Sequence, residues 1–226
     1  MVDSVRGEPV ESTCSEFPKG NKHMIPNATH QIVLASSNPG KIREIQALLP
    51  NITVLPQSQF FQTEAEETGL TFVENALLKA RHAAQHCHLP IIADDSGLVV
   101  DALNGEPGIY SARYAGKGAS DQENNDKLLL ELAGVPFEER TARFICVVVM
   151  LQHATAPVPL ITQGVWEGKI LLHPQGANGF GYDPLFWVSG YDCSSAELPS
   201  PIKNSLSHRG QALNELAKLL KNKTLF

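Results

Sequence analysis

Two adjacent carboxylates, Asp94-Asp95, stand between the apolar runs Ile91-Ile92-Ala93 and Leu98-Val99-Val100. Carboxylates flanked in this way are costly to bury without a cation or hydrogen-bond donors, and a hard divalent ion is their natural partner. Glu66 and Glu67, in the acidic stretch 57–70, could add carboxylates to the same ion. Mg²⁺ takes one or two such groups and completes its shell with water and substrate phosphates. Earlier in the chain, Ser36-x-Asn38-x-x-Lys41 lies where a strand pattern runs into a helix pattern. First-turn amides, two short polar side chains and an ammonium would converge there on an anion. It is not a Walker loop, because Ala35 stands where the first Gly is required and Ile42 where Ser or Thr is required. Late in the chain, Lys203 and Ser207-His208-Arg209-Gly210 offer an ammonium, a hydroxyl, an imidazole and a guanidinium fork suited to a purine edge or a phosphate. Together these groups point to metal-assisted chemistry on a phosphorylated small molecule.

Each motif also has a plain reading: a capped helix for 36–41, a solvated turn for Asp94-Asp95, a solvated loop for 64–67 and a basic helix start for 207–209. Phe180 and Tyr182, in the Gly-rich stretch 176–184, could stack on a base or simply fill space beneath a turn. That stretch lacks the GxGxxG spacing of a dinucleotide fold. His82, His86, Cys87 and His88 raise a zinc reading, which the absence of the Glu of HExxH and an ordinary polar helix end argue against.

The elements that must position these groups follow from periodicity. Ile32–Ala35 and Ile52–Leu55 read as strands, with a helix between them carrying Ile42, Ile45, Leu48 and Leu49. Thr71-Phe72-Val73-Glu74 fits a capping box, opening a helix with Phe72, Ala76, Ala80 and Ala83 on one face. Ile91–Ala93 enters the acidic pair, and Asn104–Gly108 is a turn. Leu128, Leu129 and Leu132 mark a helix within 121–133; Phe144–Leu151 and Leu160–Trp166 form a strand pair; Gly210–Lys221 is a last helix. Residues 1–30 show no apolar periodicity and are expected to be a disordered tail, leaving 31–222 as one domain.

Eighteen Lys+Arg against 24 Asp+Glu give a net charge of −6, so no global positive field exists to hold a long nucleic acid or an anionic membrane. Cys14, Cys87, Cys146 and Cys193 include no CxxC pair and read as free thiols in a reducing compartment, here the cytoplasm. The longest apolar run, Phe144–Leu151, is too short to span a bilayer.

Six ordered segments then carry a resemblance: Ser-Ser-Asn-Pro-Gly-Lys at 36–41, Glu-Glu-Thr-Gly-Leu-Thr-Phe-Val-Glu-Asn-Ala at 66–76, Ala-Asp-Asp-Ser-Gly-Leu at 93–98, Pro-Gly-Ile-Tyr-Ser-Ala-Arg-Tyr-Ala-Gly at 107–116, Gly-Phe-Gly-Tyr-Asp-Pro at 179–184 and Ser-His-Arg-Gly-Gln-Ala-Leu at 207–213. In this order the chain resembles the inosine/xanthosine triphosphate pyrophosphatase family in its bacterial form. The resemblance implies Mg²⁺-dependent hydrolysis of dITP, ITP and XTP to the monophosphate and pyrophosphate by a homodimer. It also implies an α/β fold, an elongated mixed sheet with flanking helices in two lobes around a central cleft.

Carried over, the resemblance implies that Ser36, Ser37, Asn38, Pro39, Gly40 and Lys41 hold the triphosphate, that Glu66 and Asp95 bind the metal, and that Asp95 is the general base. Ser96, Phe180, Gly181, Tyr182, Asp183, Lys203, His208 and Arg209 become substrate contacts, with Lys79 a further phosphate contact. His208 and Arg209 are expected to read the purine 6-oxo group, since only donors can recognise that oxygen. Ser37 departs from the family where Gly is frequent, and 1–30 has no counterpart. A Maf-like nucleotide pyrophosphatase is the enzymatic rival, disfavoured by the Ser-His-Arg-Gly cluster and the Gly-Phe-Gly-Tyr-Asp loop. A non-catalytic nucleotide- or RNA-binding module would have no need of Asp94-Asp95.

Overall fold

The computed structural model describes residues 30–222, so the expectation for the 1–30 tail lies outside the described residues except at His30, which opens the first strand. In chain order the elements are β1 (His30–Leu34), α1 (Pro39–Leu48), β2 (Ile52–Pro56), α2 (Phe72–His86), β3 (Ile91–Val100), a 3₁₀ segment Gly108–Arg113, α3 (Asp121–Glu131), β4 (Thr141–Leu151), β5 (Leu160–Ile170), β6 (Phe186–Val188), β7 (Cys193–Ser194), α4 (Ser200–Leu206) and α5 (His208–Asn222). One mixed sheet runs in the order β2-β1-β3-β4-β5-β6-β7. β1 is parallel to β2 and β3, and the later pairs are antiparallel.

Strand parity sorts the core. Ile32 and Leu34 of β1, Ile92 of β3 and Cys146, Val148 and Met150 of β4 pack on one face against Ile45 of α1 and Leu213 and Leu216 of α5. Val33, Ile91, Ala93, Val147 and Val149 pack on the other against Ala76, Ala80 and Ala83 of α2. The small residues of α2 let it lie close to the sheet. Further along the same strands, Leu98, Val100, Ala142 and Phe144 join Leu128, Trp166, Ile170, Leu185 and Phe186 in a separate cluster that fills the far end of the molecule. The two packed ends are the expected lobes, with the cavities described below between them.

The Asp94-Asp95 turn reading is corrected: β3 runs unbroken from Ile91 to Val100, paired throughout with β4. Its other edge is covered unevenly. β1 pairs only at Val33↔Ile91 and Leu34↔Ile92, ending with Ala35 N–H donating to Ile92 O at 2.8 Å. At the far end Ser111 Oγ accepts from Leu98 N–H at 2.9 Å, and Val99 bridges Pro107. Residues 94–96 therefore occupy a window at the carboxyl end of β1, with α1 and α2 on opposite faces, where open α/β sheets bind their ligands.

The last helix begins earlier than expected, so His208 and Arg209 form its first turn and Ser207 Oγ accepts from Gly210 N–H at 3.1 Å. The Thr71–Glu74 box is displaced by one residue. Thr71 Oγ1 accepts from Glu74 N–H, while the Glu74 carboxylate reaches Leu70 N–H at 2.8 Å. A full box, Ser120–Glu123, opens α3.

Candidate active site

Because successive side chains on a strand point to opposite faces, Asp94 and Asp95 meet different partners. Asp94 faces α1 and α5. Its Oδ2 contacts Lys41 Nζ at 3.0 Å and Arg209 Nη2 at 3.3 Å, while its side chain is wholly buried. Burial works against its charge, but Lys41 and then Arg209 hold the carboxyl well below the usual carboxylate range. Asp95 faces α2, where Lys79 Nζ lies 2.7 Å from Oδ1 and Asn75 Nδ2 lies 3.5 Å from Oδ2. Burial raises the Asp95 pKa, Lys79 offsets this only in part, and the negative charge of Glu67 adds to the rise. Burial pulls Lys79 down, but Asp95, Asp94 and Glu67 outweigh it and raise its pKa. One ammonium thus gains from three carboxylates while Asp95 has a single close cation.

The same parity separates the two glutamates of the acidic loop. Exposure alternates along 64–70, which leaves Glu66 outward and brings Glu67 into the site. Glu67 Oε1 lies 3.2 Å from Lys79 Nζ and its Oε2 lies 3.0 Å from Arg113 Nη1. Burial raises the Glu67 pKa, but Lys79 and Arg113 outweigh it and lower it. Lys79 therefore sits as a cation between Glu67 and Asp95, the position and charge that a divalent ion would need. Two carboxylates suit Mg²⁺; among the described residues no three His, Cys, Asp or Glu side chains gather as a denser metal cage. His82, His86 and Cys87 make no such site, since His86 stacks on Phe61 at 4.8 Å and Cys87 Sγ contacts Leu89 O.

Two adjoining cavities open at the window. One, of about 320 Å³, is lined by Ser36, Ser37, Asn38, Lys41, Gln57, Glu67 and Lys79 among others. The expectation that first-turn amides of α1 would be free for an anion is corrected, because Asn38 Oδ1 accepts from Gly40 N–H at 2.8 Å and Lys41 N–H at 3.2 Å. The donors left are the hydroxyls, the Asn38 amide nitrogen and the Lys41 ammonium. Pro39 and Gly40 line neither cavity. They shape the start of α1, and a Cβ at Gly40 would come within 3.1 Å of Asn38 Oδ1 and 3.5 Å of the Phe180 ring.

The second cavity, of about 220 Å³, shares Asn38, Lys41, Glu67 and Lys79 and adds Asp95, Ser96, Phe180, His208 and Arg209. Phe180 has its ring 5.6 Å from Lys203 Nζ and 5.7 Å from the Arg209 guanidinium carbon. His208 stacks on Phe144 at 4.8 Å, nearly parallel, and its buried Nδ1 has no partner. Burial, Arg209 and Lys203 push its pKa well below normal, so the ring is neutral.

Several expected substrate contacts, Gly181, Tyr182, Asp183, Lys203 and Arg209, line the second cavity and also carry bonds that hold the site together. Arg209 is committed to Asp94 through Nε and Nη2, to Ser96 Oγ through Nη2 at 3.0 Å and to Glu44 through Nη1, so it is not a free reader of a base. Its guanidinium bonds instead lock α5 to β3 and α1. Tyr182 is buried and donates to Ser111 O at 2.8 Å. Asp183, also buried, accepts from Phe180 N–H at 2.9 Å, from Ser195 Oγ at 2.9 Å and from Lys203 Nζ. A Cβ at Gly179, where φ is +81°, would stand 2.1 Å from the same carboxylate. Gly181 is held between Asp121 and Asn125.

Glu44, Asn75, Arg113 and Asp121 escaped sequence reasoning. Asn75 and Lys79 lie four apart on the helix face behind the Thr71 cap, a spacing that could have paired them. Glu44, Arg113 and Asp121 carried no local signal.

The Ham1 family model matches residues 32–219. The dITP/XTP pyrophosphatase of Photobacterium profundum is 56% identical over 194 residues, covering 85% of this chain and 98% of that protein. That of Vibrio cholerae is 57% identical over 192 residues, covering 84% and 96%. Among solved structures, a HAM1 protein from Coxiella burnetii superposes with a TM-score of 0.80 at 49% identity, covering 85% of this chain and 99% of that one. With the matched residues spanning both lobes and both cavities, the chain belongs to the Ham1 family.

Proposed function

We propose that the protein hydrolyses the non-canonical purine nucleoside triphosphates dITP, ITP and XTP to the monophosphate and pyrophosphate, clearing deaminated purines from the nucleotide pool. The observation that carries this reading is the window in β3. It sets a buried carboxylate of raised pKa, Asp95, on the wall of a cavity holding Phe180 and a neutral His208, beside a donor-lined cavity that shares Lys41 and Lys79 with it. That the relatives are dITP/XTP pyrophosphatases supports the same reading.

Lys41 and Lys79 neutralise phosphate oxygens, and Asp95 accepts the proton of the water that attacks the α-phosphorus as the bond to the leaving pyrophosphate breaks. Glu67 and Asp95 would hold Mg²⁺, which when bound supplies charge neutralisation at the phosphates. Phe180 stacks on the base, and the neutral His208, which lines the same cavity, offers an imidazole N–H to the purine 6-oxo group. A 6-amino group would meet that donor with the wrong polarity. We assign base reading to His208 rather than Arg209 because most of the Arg209 donors already hold protein partners.

The reading includes a homodimer in the cytoplasm, as the resemblance implies. Among the described residues no helix is long and apolar enough to cross a membrane. Pyrophosphate release from ITP, XTP, dITP, ATP and GTP, with and without Mg²⁺, tests the proposal. Mg²⁺-dependent release from the first three, at least ~10-fold over ATP and GTP, is expected. Release from none, or indifference to the inosine base, overturns it, the latter in favour of a Maf-like enzyme.

A further inference from the structure

Arg113 ends the 3₁₀ segment Gly108–Arg113 and lies far in sequence from every acidic motif, yet it reaches the acidic loop. Its Nη1 bonds Glu67 Oε2 at 3.0 Å, and its guanidinium carbon lies 5.3 Å from the centre of the Tyr110 ring. The segment that carries Arg113 is itself fixed to the two parts of the site that matter. Ser111 Oγ accepts from Leu98 N–H on β3, three residues beyond Asp95, and donates to Gly108 O at 2.6 Å. The carbonyl of Ser111 accepts the hydroxyl of Tyr182 from the loop that carries Phe180. Close packing makes this registration stiff, since a Cβ at Gly97 would stand 2.3 Å from Gly108 O.

Glu67, by contrast, stands in a loop with no regular secondary structure, 62–70, whose ties include Thr63 to His82, Thr68 N–H to Glu66 O, Gly69 N–H to Asn75 Oδ1 and Leu70 N–H to Glu74. Those ties hold the loop on either side of Glu67, not the Glu67 side chain itself. Its two oxygens are divided: Oε2 is turned to Arg113, and Oε1 is turned to Lys79, the ammonium that also contacts Asp95. The Arg113 and Glu67 side chains are 36% and 27% exposed. An ion pair that open to solvent contributes little to stability, so its effect is to orient.

We propose that Arg113 is a positioning residue for Glu67: by holding Oε2 it fixes the carboxylate so that Oε1 faces Asp95 and is available to a divalent cation. This rests on the function proposed above. It adds a consequence for selectivity, because the same short segment bonds the base loop through Ser111 and Glu67 through Arg113. A base that shifts the Phe180 loop therefore acts on the metal carboxylate, and discrimination appears in kcat more than in KM.

The test compares Arg113→Ala, Arg113→Lys, Glu67→Gln and the double variant Arg113→Ala/Glu67→Gln. Arg113→Ala is expected to lower kcat for ITP by ~10–100-fold and to raise the Mg²⁺ concentration for half-activation by a similar factor, with KM changed less than ~3-fold. Arg113→Lys restores most of the loss. In the Glu67→Gln background, removal of Arg113 costs nothing further, because the group it positions is gone. As a readout apart from turnover, Mn²⁺ titrated by electron paramagnetic resonance onto enzyme carrying α,β-imido-ITP should bind ~10-fold more weakly to Arg113→Ala. The inference is overturned if the Arg113 and Glu67 effects multiply, if Mn²⁺ affinity is unchanged, or if Arg113→Ala raises KM with kcat intact, which marks a direct substrate contact. Wild-type turnover of ITP is the control that separates the two levels: its absence removes the proposed function, whereas its presence with uncoupled variants removes only the role of Arg113.

Discussion

Asp94 and Asp95 share a peptide bond and differ in almost everything else. Asp94 is buried under α1 and α5 with Lys41 and Arg209, at the floor of the first cavity, and its pKa is driven down. Asp95 stands over α2 with Lys79, on the wall of the second cavity, and its pKa is driven up. The first carboxylate is an anchor whose charge the fold requires; the second is a chemical group whose charge the fold resists. Adjacency in sequence is therefore a poor guide to shared function on a strand, because parity sends neighbours into different environments. It also explains how one site can hold two lysines. Lys41 is tied by the Asp94 face and Lys79 by the Asp95 face, so each ammonium arrives at the shared cavity already oriented.

The largest expected effect that breaks the pair apart is on turnover. Asp95→Asn should reduce kcat for ITP by at least ~10³-fold, since proton acceptance and a cation ligand go together, while the melting temperature stays near that of wild type. Lys79 keeps Glu67 as a partner in that variant, so no buried cation is stranded. Turnover within ten-fold of wild type, with the metal still required, would remove Asp95 from the proton-accepting role.

The mirror substitution should act on stability. Asp94→Asn leaves Lys41 and the nearly buried Arg209 without their common anion, and breaking a buried pair in this way costs about 3 kcal/mol or more. Arg209 retains Glu44, which keeps the loss from being larger. Denaturant unfolding measures it. A change below about 1 kcal/mol would show that Asp94 is not the anchor, and the contrast between the two carboxylates would lose its basis.

The contrast also marks the limit of what the residues alone disclosed. Both acidic pairs, 66–67 and 94–95, are visible in the sequence, as are the strand-to-helix segment at 36–41, the loop at 176–184 and the cluster at 207–209. Which partners each member of a pair meets is decided by the phase of an extended chain against its neighbours. No local signal sets that phase at Glu66-Glu67. The unbroken run of β3 was hidden at Asp94-Asp95 because two carboxylates look like a turn. Arg209 read as a free fork for the opposite reason: its partners, Asp94 and Glu44, are 115 and 165 residues away. Long-range ion pairs leave no periodicity. β6, β7 and α4 are short elements of three, two and seven residues, too brief for a repeat of apolar spacing to emerge.

The smallest effect, and the most direct test of the opposed carboxylates, is how each variant's stability differs from wild type as pH changes in the absence of metal. A carboxyl whose folded pKa lies below its unfolded value of 3.8 stabilises the fold at all pH above that value and loses the contribution as pH falls toward the folded value. The deficit of Asp94→Asn should thus be constant from pH 7 to about 5 and shrink on going below about 4. Asp95 has the opposite sign. Its folded pKa lies above 3.8, so it favours folding while protonated, and that contribution is lost as pH rises through the folded value. Asp95→Asn is never charged, so relative to wild type it should gain stability as pH rises through that range and hold the gain to pH 7. Melting temperatures of the three proteins from pH 3 to 7 give both differences in one series. If the two difference curves bend in the same direction, parity has not given the two neighbours the opposite electrostatic environments described here.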